Sequence, residues 1–192
     1  MKKIHFHPVI KVNKPLPVFD FTEGFNTDEI ERKVWGIGRY NEKRKNMYLA
    51  PQYENRRNIH MGMDIWCPAG EPVYSAWDAE VVYMANHAQT GNYGPTIVLK
   101  HEINEVTLFA LHGHLSLADL DRNFIGKILE RGEVFANVGT RKENGDWPPH
   151  LHYQLSRDDP GKADMPGVVS EDELAEALKK YPDPDMILNL CS

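Results

Sequence analysis

Hydrophobic positions gather in short runs bounded by polar and turn-forming residues, and most of these runs lie between residues 51 and 157. Residues 71–76, 80–84, 96–101 and 106–111 are rich in β-branched, aromatic and aliphatic side chains and predict strands. Asn104-Glu105 separates the last two runs and predicts a hairpin. Gly91, Gly94, Gly113, Gly126, Gly132, Gly139 and Gly145 supply turns between and around the runs. Short strands with regular turn signals predict a mainly β fold, a compact antiparallel β-sheet or sandwich core over residues 51–157.

The flanks read differently. Residues 1–50 carry little periodic pattern, are punctuated by Pro8, Pro15 and Pro17, and read as an irregular N-terminal arm wrapped on the core. Asn26 stands before Thr27-Asp28-Glu29-Ile30 and predicts a capped short helix running to Lys33. Ser116 is placed to cap a helical turn within residues 115–123. Residues 158–192 form a C-terminal extension in which Ser170 and Glu173 have capping-box spacing ahead of a short amphipathic helix. Pro182 and Pro184 end that helix.

Composition narrows the function classes. The 192 residues carry 22 Lys and Arg against 28 Asp and Glu, a formal net charge of −6. Such a balance lacks the basic footprint of a nucleic-acid binder or of a segment held on an anionic membrane. Glu42-Lys43-Arg44-Lys45 is the nearest basic cluster, and it is short. Cys67 and Cys191 lie too far apart in sequence to suggest a disulfide framework or zinc ribbon, and read as single buried or partly buried thiols. No stretch approaches the ~20 apolar residues of a membrane span. No run of ~7–15 apolar residues follows the basic tip Met1-Lys2-Lys3, so a signal peptide is not expected. The expected compartment is the cytoplasm, or the periplasm or exterior if a leader was removed.

The histidines carry the chemistry. Nine are present, and six of them fall in three His-x-His pairs. His150 and His152 are two apart in a β-like run and would project from one strand face, with Leu151 and Tyr153 turned the other way. His60 and Asp64 stand four apart across Gly62, and an imidazole and a carboxylate are ordinary zinc ligands. His112 and His114 end an apolar strand, where a side chain can emerge into a cleft. Each cluster alone has a bland reading as a hydrogen-bonded or solvated pair, but one zinc site accounts for all three. His60, Asp64 and His152 would supply three ligands and leave a fourth position for water, with His114 and His150 flanking it. His5 and His7 read as solvent-exposed, His87 as a surface residue and His101 as hydrogen-bonded within the fold. His112 reads as a partner orienting a site group or as groove wall, and Trp66 and Trp77 as core or groove lining.

The order His60-x-x-x-Asp64, His114-Leu115-Ser116, His150-Leu151-His152 resembles the lysostaphin/LytM-type zinc metallo-endopeptidases. The likeness runs from about residue 58 to 155 and includes Pro68-Ala69-Gly70-Glu71-Pro72-Val73, the turn ending at Glu80-Val81, and Val138-Gly139. It implies an antiparallel β domain, Zn2+ on His60, Asp64 and His152, and His114 and His150 as catalytic histidines. It also implies hydrolysis of peptide bonds in bacterial cell-wall cross-links, with a peptide or peptidoglycan-like substrate. Two departures stand out: His112 replaces the family's usual tyrosine, and Arg141 to Pro149 replaces its usual glycine-rich turn. The Trp147-Pro148-Pro149 form is similar to a branch fused to aminotransferase-like enzymes.

Two other readings compete. A non-hydrolytic zinc-bearing binding or regulatory module of the same fold would have lost ligands, and none is missing here. A cupin-type oxygenase would need a glutamate three or four residues beyond its His-x-His pair, and neither pair has one. The arm could also hold the enzyme latent by placing Asn46, Asn55 or Asn58 on the zinc.

Overall fold

The computed structural model describes residues 4–12, 15–54 and 56–191. In chain order the elements are α1 (Thr27–Lys33), β1 (Gly36–Gly38), a 3-10 turn (Pro51–Tyr53), β2 (Ile59–His60), β3 (Met63–Trp66), β4 (Pro72–Tyr74), β5 (Ala79–His87) and β6 (Gly94–Ile103). They continue with β7 (Val106–Gly113), α2 (Ala118–Arg122), β8 (Ile128–Leu129), β9 (Val134–Asn137), β10 (His150–Ser156), β11 (Val168–Val169), α3 (Leu174–Lys180) and α4 (Asp185–Leu188). Seven strands form one antiparallel sheet in the order β1-β3-β10-β7-β6-β5-β8. Two small antiparallel pairs, β11 with β2 and β4 with β9, complete the β structure.

The mainly antiparallel β fold expected from the sequence is the fold observed. Asn104 and Glu105 both take positive φ, +48° and +68°, as a two-residue turn of the primed kind requires between twisted strands. Asn26 caps α1, its side chain accepting from the Glu29 amide at 3.2 Å.

Period-two alternation divides the sheet into two faces. Ile65, Leu151, Tyr153, Leu155, Ala110 and Leu99 face a core closed by β4, β9 and the arm residues Val9 and Ile10. The opposite face carries Asp64, Trp66, His150, His152 and Gln154, with Leu111, Phe109 and Val98 farther along. The site thus sits on one face of a sheet whose other face is packed core.

Both flanks are built into this body. Residues 36–38 add an edge strand, β1, beside β3. Gly36 lies opposite Trp66 and Gly38 opposite Asp64, and side chains there would strike the Phe19 ring and the Arg44 guanidinium. The extension pairs β11 with β2, and the Arg157 amide donates to the Lys180 carbonyl at 2.9 Å.

Some local expectations need correction. Ser116 does not cap α2. Its hydroxyl donates to Glu143 Oε1 at 3.1 Å, and that same carboxylate oxygen accepts the Leu117 amide at 3.0 Å. Ser170 and Glu173 are hydrogen-bonded, the Ser170 amide donating to Glu173 Oε2 at 3.0 Å, but the helix begins only after Glu173. Helix α3 does end at Lys180, ahead of Pro182, and a further short helix, α4, follows Pro184. Cys67 is buried, but Cys191 is exposed.

Candidate metal and catalytic site

His60 and Asp64 reach each other because the chain breaks between them. Along one continuous strand, residues four apart stand ~13 Å apart. Here β2 ends at His60, Met61-Gly62 turn the chain, and β3 begins at Met63. His60 Nε2 therefore lies 3.3 Å from Asp64 Oδ1. β10 runs antiparallel to β3 with His152 opposite Asp64 and His150 opposite Trp66. That register sets His152 Nδ1 3.0 Å from Asp64 Oδ1 and 3.1 Å from His60 Nε2. Donor atoms of His60, Asp64 and His152 lie within 4.8 Å of one another, and all three residues are buried.

Gly62 makes this approach possible. A Cβ at residue 62 would stand 2.5 Å from His152 Cε1 and 2.6 Å from Nε2. The position is reserved for hydrogen because the Cε1–Nε2 edge of the imidazole lies close against the backbone there.

His114 arrives by a different device. By strand alternation it would share the core face of His112 and Tyr153, since His112 is Tyr153's partner in the register. But β7 ends at Gly113, and His114 has φ +63°, a left-handed conformation uncommon for a non-glycine residue. The turn swings its ring to the other face, where its centroid lies 4.2 Å from that of His150 and 6.3 Å from that of His152. His112 stays behind in the core, edge-on to Phe135 at 4.9 Å and to Tyr153 at 5.0 Å. It neither orients a site residue nor lines the cavity, contrary to expectation. Burial drives its pKa down to about 3.

The outer nitrogen of every site imidazole is occupied. His60 Nδ1 donates to the Arg39 carbonyl at 2.9 Å, His114 Nδ1 to the Asn144 carbonyl at 3.0 Å, and His150 Nδ1 to the Pro148 carbonyl at 2.8 Å. His152 is reversed: its Nε2 donates to Gln154 Oε1 at 3.1 Å. These acceptors assign the tautomers, so four lone pairs point inward, on Nε2 of His60, His114 and His150 and on Nδ1 of His152. Burial keeps His60, His114 and His150 neutral, and the Arg44 charge adds to it at His60. Burial lowers His60 and His150 to about 4 and holds His114 well below the ordinary histidine range. Burial works to raise Asp64, but the Arg44 guanidinium, which donates to Oδ2, outweighs it and leaves a carboxylate well below its usual range.

Two neutral imidazoles and an ionised carboxylate, with outer-shell acceptors already in place, fit Zn2+. The site opens on a cavity of about 380 Å³. Tyr48 and Tyr53 from the arm side, Tyr93 and Trp147 from the loops, and Lys162 and Asp164 from the extension form its walls. Neither Asn46 nor Asn58 lines it, and Asn55 lies outside the described residues. Trp66 is buried and stacks on His150 at 4.1 Å, whereas Trp77 is partly buried against the opposite core. His101 bonds within the fold as expected, to the Asp78 carbonyl at 3.2 Å. His87 is not a free surface residue, since its Nε2 donates to the Ala163 carbonyl at 2.7 Å. His5 is exposed, but His7 is half-buried against Tyr74.

Several contributors had passed unnoticed in the sequence. Gln154 continues the i, i+2 spacing of His150 and His152 on the same strand face, which was a legible signal. Glu42 and Arg44 alternate with exposed Lys43 and Lys45, the mark of a half-buried extended segment rather than a charge run. Tyr93, 5.1 Å from His152 and 5.8 Å from His114 by ring centroids, had no sequence signal of its own.

Sheet, register and inward-facing donors together define a β-sheet protein with a candidate metal centre on one sheet face. The sequence pattern of Peptidase family M23 matches residues 58–164, and the chain belongs to that family. Peptidoglycan DD-endopeptidase ShyA of Vibrio cholerae serotype O1 is 33% identical over 136 residues, 67% of this chain and 29% of that protein. Peptidoglycan DD-endopeptidase ShyB of the same organism is 35% identical over 114 residues, 56% of this chain and 24% of that protein. The chain thus spans less than a third of the length of these relatives. Among solved structures, a zinc-containing peptidase from Vibrio cholerae is 28% identical, covering 61% of this chain and 31% of that one with a TM-score of 0.45. The catalytic domain of lysostaphin from Staphylococcus simulans is 15% identical, covering 79% of this chain and 97% of that one with a TM-score of 0.46.

Proposed function

We propose that the chain is a zinc-dependent endopeptidase acting on peptide bonds of peptidoglycan-like cross-links. The observation that carries this reading is the inward convergence of four imidazole lone pairs and one carboxylate oxygen, each imidazole oriented by an acceptor on its far side. His60, Asp64 and His152 would hold the metal. Bound there, zinc supplies a Lewis acid for a carbonyl oxygen and acidifies water near neutral pH. His114 and His150 stand beside that cluster as neutral bases whose Nε2 atoms face the cavity. One takes a proton from the attacking water, and the imidazolium so formed donates to the oxygen that gains charge on the scissile carbonyl and then gives that proton to the leaving amine, while the other, staying neutral, accepts a hydrogen bond from the water and positions it. The Asn144 and Pro148 carbonyls hold these rings in position and favour the imidazolium as charge develops. Trp147 and Tyr48 line the cavity and offer flat aromatic surfaces to a peptide.

In this reading residues 51–157 are the catalytic domain, and the arm (1–50) and extension (158–192) supply part of its cavity walls. The expected cytoplasmic location gains no support, because relatives are described as peptidoglycan endopeptidases and, in Escherichia coli, as a lipoprotein. A periplasmic or extracellular location goes with a wall substrate. No helix among the described residues is long and apolar enough to cross a membrane.

The test is purified protein with peptidoglycan fragments and plain peptides, with and without chelator, alongside elemental analysis. About one zinc per chain and chelator-sensitive cleavage are expected. His114→Ala and His150→Ala should keep the zinc and lose cleavage by 100-fold or more (about 3 kcal/mol of barrier). A zinc-loaded protein that cleaves nothing in the panel would favour the non-hydrolytic binding module.

A further inference from the structure

Arg44 is a fully buried arginine directly behind the candidate metal cluster, outside the residues matched to the family. It sits on a short segment, residues 42–44, that runs beside β2. The Arg44 amide donates to the Asn58 carbonyl at 2.8 Å, the His60 amide to the Glu42 carbonyl at 3.0 Å, and Lys43 bridges antiparallel to Ile59. Alternation along this segment turns Glu42 and Arg44 inward together. Arg44 Nη1 donates to Asp64 Oδ2 at 2.7 Å and to the Tyr48 hydroxyl at 2.8 Å, while Nε donates to Glu42 Oε2 at 3.1 Å. Phe21 covers the guanidinium face at 5.0 Å, and Gly38 leaves room for Nη2. Glu42 in turn accepts from Arg39 at 2.8 Å, so two buried acids face two arginines.

The two oxygens of Asp64 are therefore divided. Oδ1 faces His152 at 3.0 Å and His60 at 3.3 Å, while Oδ2 is taken by Arg44. We propose that Arg44 is a positioning residue which holds Oδ2 of Asp64 away from the metal, so that Asp64 binds it through Oδ1 alone and a coordination position stays open for water. The proposal rests on the zinc reading of the site. A guanidinium suits the task because its rigid fork reaches Asp64, Tyr48 and Glu42 at once, which a lysine ammonium on its flexible stem does not. The Tyr48 contact also links the buried cluster to the cavity wall.

The experiment compares the full chain with Arg44→Lys and with the charge-balanced pair Glu42→Gln/Arg44→Met. Zinc affinity is read by competition with a chromophoric chelator, coordination by the visible absorption of the Co2+-substituted protein, and folding by circular dichroism. The double variant should lose zinc affinity at least 10-fold, and its Co2+ spectrum should weaken as a second carboxylate oxygen enters. Arg44→Lys, which keeps a cation for Asp64 Oδ2 but not all three contacts, should fall between the parent and the double variant in affinity and spectrum. A folded double variant with parent-like affinity and spectrum would overturn the proposal while leaving the zinc reading intact. A parent that takes up neither metal would overturn the zinc reading and this proposal with it. Should the double variant not fold, X-ray absorption on the zinc-loaded parent decides: one short carboxylate oxygen supports the proposal, and a two-oxygen carboxylate refutes it.

Discussion

Replacing Gly62 by alanine should dismantle the metal cluster while leaving the fold standing. The added Cβ would lie 2.5 Å from His152 Cε1, 2.6 Å from its Nε2 and 2.9 Å from the Tyr153 carbonyl oxygen. Ordinary contact begins near 3.4 Å, so the ring must retreat by roughly 1 Å. The carbonyl has little freedom to yield, because β10 is paired on both sides, to β3 and to β7. The ring must move instead, and it is held at 3.0 Å from Asp64 Oδ1 and 3.1 Å from Gln154 Oε1. Metal–ligand distances tolerate only about 0.2 Å, so such a shift removes His152 from the ligand set. Zinc affinity should fall by about 100-fold or more, and overpacking should cost about 1–3 kcal/mol. Chelator competition gives the affinity and urea denaturation of the metal-free protein the stability. Ala110→Val, on the opposite face of the same sheet and fully buried, is the matched control that loses stability without touching the cluster. A folded Gly62→Ala protein that binds zinc like its parent would refute the packing argument.

Other outcomes follow from the same geometry. Gln154→Leu removes the acceptor that fixes the His152 tautomer, so zinc affinity should fall about 10- to 100-fold with the far-ultraviolet circular dichroism unchanged. His112→Phe should flatten the acid side of the stability profile. The fold keeps His112 neutral down to about pH 3, whereas the unfolded chain takes up that proton near pH 6.5. Its contribution is therefore complete above pH 6.5 and is lost at about 1.4 kcal/mol per pH unit as pH falls towards 3. Urea titrations at pH 7, 6, 5 and 4 measure the slope, and an equally steep profile in His112→Phe would exclude this residue as a cause. Asn26→Ala should cost about 1 kcal/mol through the lost cap of α1, read by urea denaturation.

Strand identity and the Asn104-Glu105 turn were legible because each depends on residue type at short spacing, whereas the meeting of the distant His60, Asp64, His114, His150 and His152 followed from accounting for three clusters by one site and from the family resemblance. His150 and His152 share a face by period two alone, and the alternation of Leu151 and Tyr153 into the core confirms that this run was read in the right register. His112 was misread for the complementary reason. Period two would put His112 and His114 on one face, but the left-handed backbone at His114 parts them, and nothing in His-Gly-His announces which residue will turn. The flanks were the least legible. Strand β1 is three residues long, and two of them are glycines whose value lies in the side chains they lack.

This last point bears on how the site is held. The carbonyl that orients His60 belongs to Arg39, the guanidinium that occupies Asp64 Oδ2 belongs to Arg44, and the Pro166 carbonyl that accepts from Gln154 at 3.3 Å lies in the extension. None of these three positions falls within residues 51–157, yet each fixes the direction of a donor that does. The five inward-facing side chains and the acceptors of His114, His150 and His152 are thus encoded in the β core, while the aim of His60 and Asp64 is set by backbone and charge contributed from the arm. A chain trimmed to the core would keep every chemical group of the site and lose the constraints on these two.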